Sequence, residues 1–71
     1  MTEREIIEKI VSIREGKGMS QQELAAAAGL KQSAIARLEN MKATPQIDTL
    51  LKILLPLGYT IEIVPKKTGK V

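Results

Sequence analysis

Apolar residues along the chain fall into four stretches with helical spacing, followed by one that alternates. From Thr2 to Glu15, Ile6, Ile10 and Ile13 form one stripe with Ile7 and Val11 beside it, which predicts an amphipathic helix. Thr2 and Glu5 have the spacing of a capping box, and Glu3 and Glu5 place negative charge in the first turn, where the helix dipole favours it. Gly16, Lys17 and Gly18 end this helix, with Met19 packing back. Ser20 and Glu23 form a second capping box ahead of Leu24, Ala25 and Ala28, which share one apolar face. Gly29 stands where that helix must stop, Leu30 turns inward, and a third helix starts near Gln32. At about 100° per residue, Ile35, Leu38, Ala34 and Glu39 share a core-facing arc, and Gln32, Ser33, Ala36, Arg37 and Asn40 share the other. Pro45 to Leu57 predicts a fourth helix, with Ile47, Leu50, Leu51, Leu54 and Leu55 at helical spacing and Asp48 early. Pro56 should bend or finish it, and Gly58 closes it.

Tyr59 to Val64 alternates, is rich in β-branched residues and is bounded by Gly58 and Pro65, which is a strand signature. Tyr59, Ile61 and Ile63 point one way, and Thr60 and Glu62 the other. A strand needs hydrogen-bonding partners, and the sequence contains no second one. The economical solution is the same strand of another copy, paired antiparallel across a two-fold axis. Residues 1–58 then form the domain, 59–64 a dimerisation strand, and 65–71 a basic flexible tail carrying Lys66, Lys67 and Lys70. An irregular extended tail lying on the fourth helix is the competing reading.

Composition narrows the functions. Seventy-one residues make one small domain with a core that is aliphatic, since there is no Phe or Trp and a single Tyr. The absence of cysteine and histidine excludes disulfides, zinc fingers and thiol or imidazole catalysis. The eight carboxylates fall mostly on helix caps and exposed faces without a clustered pair, so neither an enzyme nor a metal or cofactor site is expected. No apolar run approaches the roughly 20 residues of a membrane span, and a cytoplasmic location is expected. A formal charge of +3 permits an anionic partner without demanding one.

The sharper signal is the polar arc of the third helix, short-chained and free of carboxylates, as suits a helix lying in a major groove. Gln and Arg pair bidentately with adenine and guanine edges there, Ser pairs with either, and Ala36 permits close approach or touches a thymine methyl. Gln32, Ser33 and Arg37 are the candidate base readers. Lys31 breaks the usual capping rule at the start of this helix: it cannot cap, and it opposes the dipole. A nearby phosphate would reverse the electrostatic part of that cost, whereas an exposed lysine on a tolerant turn is the bland alternative. Lys42, Thr44 and Asn40 complete the candidate backbone contacts. Small helix–turn–helix hairpins also occur as plain structure.

Gln21 to Asn40, QQELAAAAGLKQSAIARLEN, resembles the helix-turn-helix of the Xre/Cro/lambda-repressor-like family. The marks are Ala25, Gly29, Ile35 and Leu38 at their characteristic spacing, together with the phrases QSAIARLEN and TPQIDTLLKILLPLG. The resemblance extends over residues 4–64. It implies an all-α, lambda-repressor-like bundle of four to five short helices, with the helix-turn-helix at 20–40 and a recognition helix at 32–40. It also implies that Gln21 bonds a phosphate and steadies the reading side chain. Arg14 emerges on a partly buried face, where a lone charge is costly; the resemblance implies that it pairs with Glu39, and phosphate contact is the rival role. Glycine is common in the family where this chain has Met41. A methionine with positive φ is strained, so Asn40 is expected to take the left-handed position instead.

Together these readings imply a homodimeric, sequence-specific DNA-binding repressor acting on an inverted-repeat operator. The terminal strand is similar to that of HigA- or HipB-type antitoxins, which bind a cognate toxin protein. Three roles stay open: an antitoxin, a stand-alone repressor, and a protein-binding adaptor without DNA specificity.

Overall fold

The computed structural model describes residues 2–65, so Lys66, Lys67 and Lys70 of the basic tail lie outside the described residues. The helices are α1 (Glu3–Gly16), α2 (Gln21–Ala28), α3 (Gln32–Glu39) and α4 (Ile47–Leu57). Two of the four begin with reciprocal caps. The Thr2 amide donates to Glu5 Oε1 at 2.7 Å while the Glu5 amide donates to Thr2 Oγ1 at 3.2 Å. Ser20 and Glu23 repeat the arrangement at 2.8 and 3.0 Å. Lys31 and Gln46 precede α3 and α4 without any side-chain cap.

All four helices end the same way. An amide reaches back five residues, from Met19 to Arg14, Leu30 to Ala25, Lys42 to Arg37 and Tyr59 to Leu54. The residue before it reaches back three, from Gly18, Gly29, Met41 and Gly58. This paired closure satisfies orphan carbonyls and requires a left-handed residue at the turn. Glycine fills that place three times; after α3 it is Met41, at φ 61. The expectation that Asn40 would take the left-handed position is therefore corrected: Asn40 lies at φ −90, ψ 10. The closure geometry places the positive φ one residue later, and the Met41 side chain packs against the core from there.

α2 packs between α3 and α4, and α1 covers α3 and α4. The core consists of Ile7, Ile10, Leu24, Ala25, Ile35, Leu38, Leu50, Ile53 and Leu57, with Ile6, Val11, Ile13, Ala28 and Leu54 at its margin. In α3, Ala34 is exposed rather than core-facing, while Ala36 is half-buried. α4 departs more from its expected face. Ile53 and Leu57 are buried, whereas Ile47, Leu51 and Leu55, four residues apart, are exposed. The helix is apolar around most of its circumference, so periodicity alone does not choose the face that packs. Pro56 sits in its last turn, and α4 continues to Leu57.

Tyr59 to Val64 is not a strand in the single chain: no ladder forms among the described residues. The physical reason is the one that made the expectation conditional, namely that a strand exists only with a partner to bond. Residues 59–62 instead lie along α1 and α4, over an open cleft of about 450 Å³ that Ile6, Ile10, Ile13, Leu50 and Leu54 line. Ile63 and Val64 project into solvent.

Candidate nucleic-acid interface

Besides the shared apolar core, one buried charged group joins α1 to the helix-turn-helix. Arg14, on the inner face of α1, keeps only 9% of its side chain exposed, and Glu39 keeps 6%. Its guanidinium forms a fork onto Glu39, Nε to Oε2 at 2.7 Å and Nη2 to Oε1 at 3.0 Å. Nη1 donates to the Met19 carbonyl at 2.7 Å, so the same side chain ties down the α1–α2 turn. The hydrogen bonds to Glu39 hold the Arg14 pKa above its ordinary value against the opposing effect of burial. All three nitrogens are engaged inward, which leaves none of them turned toward a phosphate.

Glu39 continues the connection. Its Oε1 also accepts from Gln21 Nε2 at 2.9 Å, and Gln21 Oε1 accepts from Gln32 Nε2 at 2.8 Å. Four side chains from α1, α2 and both ends of α3 thus form a continuous chain that emerges at Gln32. The only carboxylate in α3 is folded inward by this arrangement. Its outward face carries Gln32, Ser33, Arg37 and Asn40, all exposed, with Lys31 before it and Lys42 after. Among the described residues no acid lies within ion-pair distance of Lys31, Arg37 or Lys42.

Ser33, Arg37 and Thr44 meet along a second depression of about 360 Å³ between α3, the α3–α4 loop and the start of α4. Gln46 and Thr49 line it too, and sequence reasoning missed both. The available signal was their spacing: residues three apart in a first helical turn share one face. Tyr59, Ile61 and Ile63, by contrast, belong to the C-terminal segment and stand apart from this surface, with Tyr59 and Ile61 beside α1 and α4. Lys31, Asn40 and Lys42 are exposed in the turns that flank α3.

No described helix is long and apolar enough to cross a membrane. A solved chain of a toxin–antitoxin module from Streptococcus pneumoniae has this fold with a TM-score of 0.65 and 39% identity, over 92% of this chain and 81% of that one. An HTH-type transcriptional regulator of Haemophilus influenzae is 45% identical over 60 residues, covering 84% of this chain and 61% of its own length. The HTH-type transcriptional regulator PuuR of Escherichia coli is 38% identical over 53 residues, or 75% of this chain and 29% of its own length. The chain therefore spans less than two thirds of these curated relatives. The family model described as helix-turn-helix matches residues 10–64, from the middle of α1 to the end of the C-terminal segment, and the chain belongs to that family.

Proposed function

We propose that the protein is a sequence-specific DNA-binding regulator that lays α3 in the major groove. The observation that carries this reading is the inward engagement of Glu39, which leaves α3 an outward face of amides, a hydroxyl and a guanidinium with no carboxylate. Gln32, Ser33 and Arg37 read base edges; Gln21, Lys31, Asn40, Lys42 and Thr44 hold the sugar–phosphate backbone. Backbone contacts fix register but carry no sequence information, whereas each bidentate base contact discriminates by about 1–3 kcal/mol.

The active form is a homodimer on an inverted-repeat operator. Supporting this, the large exposed hydrophobics described are concentrated in residues 47–64: Ile47, Leu51, Leu55, Tyr59, Ile61, Ile63 and Val64. So much exposed apolar side chain in about one quarter of the chain marks an association surface. Pairing of Tyr59–Val64 with its copy would supply the missing ladder, with Tyr59, Ile61 and Ile63 at the interface. Repression is the output this arrangement supports, since a bound dimer occludes the operator.

The likeness to a chain of a toxin–antitoxin module favours a second layer, in which a cognate toxin protein binds the same regulator. Co-expression with the product of the neighbouring gene tests it; a toxin partner co-purifies, and a stand-alone repressor does not retain one.

The test of the DNA reading is an amide-resolved NMR titration of the protein with a short duplex. Perturbations should cluster on Gln21, Lys31 to Arg37 and Lys42 to Thr44. Perturbations confined to residues 47–64, or none at all, would contradict it and favour the protein-binding adaptor.

A further inference from the structure

The Tyr59 amide closes α4, and no other backbone group of Tyr59–Val64 is bonded to the backbone among the described residues. The segment lies along the cleft between α1 and α4, so its two edges look out over different ground. Outward from the cleft wall on α1, Lys9 is followed around the helix by Glu5 and Ser12, all polar and exposed. Outward from Leu50 and Leu54 on α4, one residue or about 100° further round, come Leu51 and Leu55. These are 43% and 78% exposed, and Ile47 continues the same stripe at 71%. An uncovered apolar strip therefore runs beside one edge of the segment and not the other.

We infer that a second copy adds its own Tyr59–Val64 at the α4-side edge, antiparallel and with Ile61 opposite Ile61, so that the two-stranded ribbon lies over Leu51 and Leu55 of both copies. The inference rests on the reading of the protein as a homodimer. Directly opposed residues of an antiparallel pair point to the same face, so a slip by one residue would set the apolar side chains against Thr60 and Glu62. Slips by two keep the faces but fail for other reasons. Centring on Glu62 places like charges directly opposite each other, which is destabilising. Centring on Thr60 leaves Ile63 and Val64 of each copy hanging past the ladder. Centring on Ile63 draws in Pro65, which has no N–H to give. Centring on Ile61 sets Tyr59 against Ile63, an aromatic on a β-branched side chain, and Thr60 against Glu62. Ile63, fully exposed in the single chain, then lies beside the other copy's Tyr59, on the side that faces the cleft and the α4 stripe. One arrangement covers the stripe and Ile63 together.

The chain has no cysteine, so single introduced cysteines report the register without background. Opposed Cα atoms of an antiparallel pair are about 4.5–5.5 Å apart, inside disulfide range, whereas diagonal neighbours at about 7–8 Å lie beyond it. Under mild oxidation I61C should give a disulfide-linked dimer, while T60C and E62C stay largely unlinked. A mixture of Y59C and I63C proteins should link one to the other, which tests the register even if I61C weakens the pairing. Sedimentation equilibrium tests the edge: L55D should shift the mass toward monomer, and K9E, on the α1 side, should leave it unchanged. Linkage at T60C or E62C, or at none of these positions in a protein that sediments as a dimer, overturns the register. A mass that responds to K9E, or fails to respond to L55D, overturns the choice of edge. A wild-type protein that sediments as a monomer contradicts the homodimer reading itself and removes this inference with it.

Discussion

Met41 takes the left-handed turn after α3 with a full side chain, where α1, α2 and α4 each use glycine. Its side chain is half-buried against the core, so the position balances backbone strain against apolar contact. Truncation separates the two. M41A loses the packing and keeps the strain, whereas M41G loses the packing and relieves it. Chemical denaturation should place M41G above M41A by about 1 kcal/mol, the reverse of the order in a helix interior. Arg37 and Lys42 differ in a second way. R37A should relax one symmetric position of the bound motif by about 1–3 kcal/mol, while K42A should weaken all sequences evenly and reduce the salt slope by about one counterion. Binding isotherms at several salt concentrations check both. At this scale the sequence was legible where a residue type has few uses. Capping serines and threonines and closing glycines identify themselves. Met41 did not, because its conformation follows from the closure of α3 rather than from its own preference.

The helices owe their ends to local chemistry and their faces to packing. S20A removes one half of a reciprocal cap and should cost about 1 kcal/mol, or roughly 4–8 °C in a domain of this size. The cap on α1 is also sensitive to acid. The Thr2 amide and hydroxyl hold the Glu5 carboxyl below its ordinary value of 4.5. A lowered folded-state pKa contributes stability that is present above the ordinary value and lost as pH falls through the folded one. Helix content followed on acidification below 4.5 should therefore decline at α1, and E5Q should lack that part of the decline. The connection between α1 and α3 is of another kind. R14A leaves Glu39 with Gln21 as its remaining donor and the Met19 carbonyl without its side-chain partner, and should cost about 3 kcal/mol, the low end for breaking a buried pair. From total stability of roughly 4–10 kcal/mol, denaturation curves should register that as a large fraction. Helix existence was readable from periodicity. The inner face of α4 was not, since Ile47, Leu51 and Leu55 are as apolar as Leu50, Ile53 and Leu57, and only the placement of α1 and α2 separates them. The Arg14–Glu39 pair followed from the resemblance, whereas the bond from Gln21 to Glu39 was not readable, since it depends on how α2 meets α3.

At the scale of the whole molecule, two stretches of the chain present different surfaces. Residues 20–44 present amides and cations; residues 47–64 present exposed apolar side chains and an extended segment whose own backbone lacks a ladder. In the proposed function the first stretch binds DNA and the second another copy of the chain. I63D, at a fully exposed position, should leave the melting of the monomer fold unchanged while shifting the mass in sedimentation equilibrium toward monomer; an unchanged mass would place the interface elsewhere. The central claim, that paired α3 helices read a two-fold symmetric sequence, is met most directly by selecting bound duplexes from a randomised pool at near-physiological salt. A symmetric dimer should enrich an inverted repeat whose half-sites lie one helical turn apart, about 34–36 Å, or a multiple of it. Binding that is salt-sensitive but enriches no sequence would contradict it.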